Sequence, residues 1–98
     1  MLYRLVFCVV ETSNGFLVTS FDDADKLVVI DLDSGDRIVL DKPRSLDELE
    51  LFIERYDPVI LFCKSISSDY ELFISEHGVK VISGVGGYLD RILHKVIG

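Results

Sequence analysis

Apolar and polar positions along this chain change period about halfway. In the first half they come as short runs without helical spacing. Leu5–Val10 is apolar throughout, β-branched and aromatic, and predicts a strand buried on both faces. Asn14-Gly15 marks a tight turn, and Phe16–Thr19 a short return strand. Phe21-Asp22-Asp23-Ala24-Asp25 reads as a loop. Lys26–Leu32 is a second apolar strand, and Asp33-Ser34-Gly35-Asp36 turns it into a partner strand over Arg37–Leu40. Lys42-Pro43 ends the β region. From Ser45 the period becomes helical. Ser45-Leu46-Asp47-Glu48 has the form of a capping box, and Leu46, Leu49, Ile53 and Tyr56 follow on one side. Asp57-Pro58 stops this helix.

Val59–Cys63 is a buried strand. Ser68-Asp69-Tyr70-Glu71 is a second capping box, opening a helix that carries Phe73, Ile74 and His77 and ends at Gly78. Val79–Ile82 is the last expected strand, and Ser83-Gly84-Val85-Gly86-Gly87 a glycine-rich loop. Leu89, Ile92, Leu93, Val96 and Ile97 form an i, i+3, i+4, i+7, i+8 stripe, which is a core-facing helix. Tight turns make the first half antiparallel. Helical crossovers make the second half parallel. The expectation is one α/β domain over residues 1–98, a mixed sheet with helices on both faces.

Composition narrows the function. The chain has 98 residues, 49% hydrophobic and 28% charged, with a formal charge of −7. That balance suits an ordinary globular domain and opposes phosphate backbones, and the ten Lys and Arg are scattered, so nucleic acid is not an expected partner. The longest apolar runs are about six residues against the ~20 that a membrane span needs, so no membrane partner is expected either. The start, Met1-Leu2-Tyr3-Arg4, enters a strand-like run with no cleavage site, and two cysteines make no disulfide framework. A cytoplasmic location is the default expectation.

Three segments carry a family resemblance. They are the loop and strand Ser20–Leu32, the strand entry Tyr56-Asp57-Pro58-Val59-Ile60-Leu61-Phe62, and the end from His77-Gly78-Val79-Lys80-Val81-Ile82 through Gly86-Gly87. Together they resemble the dinitrogenase iron–molybdenum cofactor biosynthesis family, which has a ribonuclease H-like fold. The resemblance spans nearly the whole chain. It implies a sheet order of 3-2-1-4-5 over the main strands Leu5–Val10, Lys26–Leu32, Arg37–Leu40, Val59–Cys63 and Val79–Ile82, flanked by three helices. It also implies a binding or carrier role toward an iron–sulfur or iron–molybdenum cluster. Two departures stand out. Ser20 occupies the place of the family histidine, and Lys64-Ser65-Ile66-Ser67-Ser68 that of a family glycine loop.

Candidate chemistry gathers at the strand ends. In the implied fold Cys8 and Cys63 lie late in neighbouring parallel strands, about 4.8 Å apart, so their thiols can meet. Thiolates suit iron–sulfur clusters, although two leave an iron site short of ligands; the alternative is a pair of core residues. Gly84, Gly86 and Gly87 stand between a strand and a helix, where amides can hold an anion, or where the turn itself needs glycine. Thr12, Ser13, Lys64, Ser65 and Ser67 can line the same edge, where open α/β sheets bind their ligands. Asp22, Asp23 and Asp25 read as a solvated loop, and His77 and His94 as helix-end residues. A ribonuclease H-type nuclease needs clustered carboxylates, but the first strand has no acid until Glu11 and the fourth ends Phe62-Cys63-Lys64. The chain therefore reads as a non-enzymatic binding or carrier domain. The alternative is a protein-interaction module that kept the fold and lost the pocket, with a partner protein or a homodimer through Arg37–Leu40; that strand's polar ends weigh against free pairing.

Overall fold

Five successive apolar side chains, Leu5 to Val9, can all be buried only in a strand covered on both faces. The computed structural model, which describes residues 3–97 and the side chains of residues 3–95, places them at the centre of one sheet. This strand, β1 (Arg4–Thr12), forms a hairpin with β2 (Gly15–Val18). Ser13 and Asn14 make the tip, and Gly15, at a φ of 118°, absorbs the reversal. Then come β3 (Lys26–Asp31) and β4 (Arg37–Asp41), joined by a turn in which Asp31 Oδ1 accepts from the amides of Asp33 and Ser34. The helix α1 (Leu46–Tyr56) leads to β5 (Ile60–Phe62), and α2 (Ser68–Glu76) to β6 (Lys80–Ile82). A two-residue strand, β7 (Gly87–Tyr88), precedes α3 (Leu89–Ile97).

Among the described residues the sheet has seven strands. Along one edge β1 pairs antiparallel with β3, and β3 with β4. Its other edge is shared. Leu5–Phe7 pair in parallel with Ile60–Phe62 of β5, which in turn pairs in parallel with β6. Beyond the end of β5, Val9–Thr12 pair antiparallel with β2, and β2 with β7. Alternation sorts the side chains into two cores. Val6, Cys8, Leu27, Val29, Leu61 and Cys63 face α1 and α2, where Leu49, Phe52, Ile53 and Ile74 meet them. Leu5, Phe7, Val9, Val28, Ile30 and Phe62 face Leu89 and Ile92 of α3. Phe7 and Phe62 stack at 4.7 Å between ring centres. The expected α/β sheet with three helices on its two faces is therefore present. No helix among the described residues is long and apolar enough to cross a membrane.

Three details differ from the sequence reading. The second helix is capped from Ser67 rather than Ser68. Gly87, read as loop, belongs to β7, because β2 offers it a free edge. Asp57 leaves α1 in the left-handed region, φ 47°, with its amide bonded to Ile53 O, rather than by becoming extended before Pro58. In the last helix Leu89 and Ile92 are buried and Leu93 half-buried; the side chains of Val96 and Ile97 lie outside the described residues.

Candidate functional site

Continuing the β1–β5 register by one residue brings Cys8 beside Cys63 on the face that meets α1 and α2. The two cysteines meet, but deep in the core. Both are free and fully shielded from solvent. Burial pushes the Cys8 thiol far above the ordinary cysteine range, and the neighbouring Cys63 adds to it. Burial likewise pushes Cys63 up to about 11, with Glu71 and Asp22 contributing. At neutral pH both are protonated thiols, which are poor nucleophiles and poor ligands. Among the described residues no three His, Cys, Asp or Glu side chains gather as a metal site. These residues do not fit a resident iron–sulfur or iron–molybdenum cluster, which needs accessible thiolates and further donors.

The end of the sheet where β5 delivers its carboxyl end, level with Cys8 of β1, is built from three loops. Lys64 amide bonds to Thr19 O at 2.9 Å and Phe21 amide to Ser65 O at 2.8 Å, so the β2–β3 loop is tied to the segment after β5. Gly84 amide bonds to Lys64 O at 2.9 Å and Val85 amide to Cys63 O at 3.1 Å, which ties in the glycine loop. Lys64, Ser65, Gly84 and Gly86 thus come together, and a Cβ built on Gly86 would lie 3.9 Å from the Lys64 side chain. Gly84 needs its glycine, at a φ of 81°. Ser67 caps α2 without a side-chain bond to it, and Gly87 is held in β7. Thr12 and Ser13 are not part of this group. Thr12 lies four residues past Cys8 along β1, about 13 Å at ~3.3 Å per residue. Its hydroxyl donates to Gly15 O and accepts from Asn14 N, closing the hairpin.

One concavity on this end of the sheet is lined by none of those eight residues. It is a basin of about 610 Å³ between the loop Phe21–Asp25, the facing strand ends Lys26 and Asp41, the segment Lys42-Pro43-Arg44, and Tyr70 of α2. Phe21 is buried and packs against Tyr70 at 4.9 Å. Lys42 Nζ donates to the carbonyls of Phe21 and Asp22, pinning the loop, and lies 5.0 Å over the Phe21 ring. Lys26 and Asp41 form an ion pair on the rim. The side-chain hydrogen bond and charge of Lys26 hold the Asp41 carboxyl below the usual range, and the same bond raises Lys26. The Arg44 guanidinium has no ion-pair partner among the described residues, while its amide donates to Glu48 Oε2. Sequence reasoning missed the wall formed by Lys42, Arg44 and Tyr70. The signal was there as two cations flanking Pro43 after a strand, facing the loop that carries the family resemblance.

His77 ends α2 as a capping residue. Nδ1 donates to Phe73 O at 2.8 Å, and Nε2 lies 3.3 Å from Glu50 Oε2. The Phe73 carbonyl, then Glu50 and Glu76, raise its pKa. His94 is exposed on α3. Asp22 and Asp25 are exposed where they border the basin, and Asp23 is exposed beside them.

No protein-family model matches this chain, and no curated protein matches it. Solved structures do. The crystal structure of PH0822 aligns with a TM-score of 0.81 at 21% identity, over 97% of this chain and 90% of the other. The apo form of the orange protein from Desulfovibrio gigas aligns at 0.77 and 11% identity, over 99% and 88%. A NifB-like protein of the DUF35 family from Thermotoga aligns at 0.75 and 15%, over 94% and 84%. A dinitrogenase-related protein from Methanocaldococcus jannaschii aligns at 0.69 and 15%, over 95% and 86%. At these identities the likeness is one of fold.

Proposed function

We propose that this chain is a small, cytoplasmic, non-enzymatic binding domain, a divergent relative of the dinitrogenase iron–molybdenum cofactor proteins on a ribonuclease H-like frame. The strand pairings β4-β3-β1-β5-β6 support that frame, and the NifB-like and dinitrogenase-related neighbours support the kinship. The observation that carries the binding role is the basin between the start of β3, the end of β4 and Tyr70 of α2, on the end of the sheet where β5 finishes and where open α/β sheets take ligands. Its ligand is small and anionic, met by the guanidinium of Arg44, which has no ion-pair partner among the described residues, and the core thiols take no part. An anionic metal cluster held by a partner or by its own ligands falls within that class.

Anaerobic native mass spectrometry with iron and sulfide, beside NMR titration with molybdate and with phosphate, tests the reading. Supporting results are an added mass that survives Cys8→Ala and Cys63→Ala, or amide shifts confined to residues 21–26 and 41–44 that Arg44→Ala abolishes. Mass lost in either cysteine variant would return the site to the thiols. A bare polypeptide and unmoved amides would overturn the binding role and favour the second reading, an interaction module. That reading has its own support in exposed Leu46 and Leu72, which flank an apolar groove with Tyr70 and Phe73 between α1 and α2.

A further inference from the structure

Among the described residues the outer edge of β4 is unpaired, since β4 bonds only to β3. Its hydrogen-bonding phase can be read from two flanking bonds. Lys42 amide donates to Asp25 O, and Asp31 amide to Asp36 O. In an antiparallel ladder directly opposed residues alternate between bonded and non-bonded pairs. The backbone groups of Ile38 and Leu40 therefore point to β3, and those of Arg37, Val39 and Asp41 point away from the sheet. Of the devices that blunt such an edge, β4 carries charges at its two ends, Arg37 and Asp41, but two others are missing. β4 has no proline, and its five residues pair with β3 in unbroken register, without a bulge. Ile38 and Val39 are both more than two-fifths exposed.

We propose that this edge joins a second copy of the chain in an antiparallel dimer centred on Val39. The register follows from the sequence Arg37-Ile38-Val39-Leu40-Asp41. Opposing the strand to itself sets Val39 against Val39 and Arg37 against Asp41 in both halves. These are the residues whose backbone groups point outward, so about six main-chain hydrogen bonds form across the axis. The polar ends, which looked like a deterrent, become complementary. Cross-strand neighbours share a face, so Arg37, Val39 and Asp41 lie on the α3 side with their partners Ile30, Val28 and Lys26. Within one chain Arg37 Nη1 is 3.6 Å from Asp90 Oδ1, and Lys26 pairs with Asp41. Across the axis the row becomes Asp90, Arg37, then Asp41 and Lys26 of the second copy, alternating in sign. On the opposite face Ile38 of the second copy falls beside Leu40, at the mouth of a groove that Leu40, Leu51, Phe52 and Tyr56 line between β4 and α1. There the exposed Leu51 gains cover.

Sedimentation velocity across a wide concentration range tests this, with circular dichroism confirming the fold of each variant. The wild-type chain is expected to show a concentration-dependent dimer. Val39→Pro removes only an outward amide and leaves the β3 ladder intact, so it should weaken the dimer by more than about tenfold. Arg37→Asp and Asp41→Arg should each be monomeric alone, because each sets like charges face to face. Mixed in equal amounts they should form a heterodimer, since every facing pair is then opposite in sign. A wild-type chain that stays monomeric into the millimolar range overturns the proposal. So does a dimer that all three variants retain, or a mixture that remains monomeric while the wild-type chain dimerises.

Discussion

Cys8 and Cys63 serve this chain as packing rather than as reactive groups. Side by side, shielded and held protonated, they behave as small apolar groups. Neither should react with a thiol reagent in the native state at pH 8, and both should react promptly once guanidinium unfolds the chain. Cys8→Ala should cost about 1–2 kcal/mol for the lost sulfur contacts. Cys8→Ser should cost more, by ~1 kcal/mol, because a hydroxyl there enters a dry core without a partner. The comparison is made by denaturant unfolding; a serine variant as stable as wild type would mean the site is polar and accessible. His77 titrates instead. Its folded pKa is raised, so its contribution to stability is fully present below the unfolded value and is lost as pH rises through the folded one. The melting temperature of wild type relative to His77→Gln should therefore fall as pH rises above the unfolded histidine value of about 6.5. A pH-independent difference would show that the Phe73 and Glu50 contacts do not depend on the imidazolium.

Caps show how far local sequence reaches at the level of elements. The Ser45 box is half as expected. Ser45 Oγ accepts from the Glu48 amide at 3.1 Å, but Glu48 reaches past the cap to the Arg44 amide at 2.8 Å. Around the second helix two adjacent serines fit one pattern, and spacing cannot separate them. The chain caps at Ser67, with no side-chain bond. Ser45→Ala should accordingly destabilise by ~1 kcal/mol, and Ser67→Ala by only a few tenths. Equal losses in a thermal melt would mean that Ser67 does cap in solution. β7 was illegible for a different reason. Gly87-Tyr88 is two residues long and opens on glycine, so Tyr88 alone cannot announce a strand, and the pair is one because β2 leaves an edge at Leu17-Val18. The strands with continuous apolar runs were legible because burial on both faces leaves no other solution.

Across the whole molecule the architecture was more legible than the site. Period and turn chemistry are local signals, whereas the basin assembles residues 21–26, 41–44 and 70, which have no common motif and meet only because Phe21 is bonded to Ser65 and Lys42 to the Phe21 carbonyl. The same organisation sets a gradient of stability. β1 is covered on both faces and paired along both edges, with β3 on one side and β5 and β2 on the other, so exposing its amides means dismantling both cores. β4 is held from one side and is largely exposed. Hydrogen exchange of a dilute sample should therefore rank Val6–Val9 and Leu27–Val29 slowest, Ile38 and Leu40 intermediate, and Arg37, Val39 and Asp41 fastest among strand amides. Raising the protein concentration should slow those last three selectively, because only they point outward to a second copy. If β4 were as protected as β1 in dilute solution, the sheet could not be opening from this edge, and the outward phase read from the Lys42 and Asp31 bonds would have to be wrong.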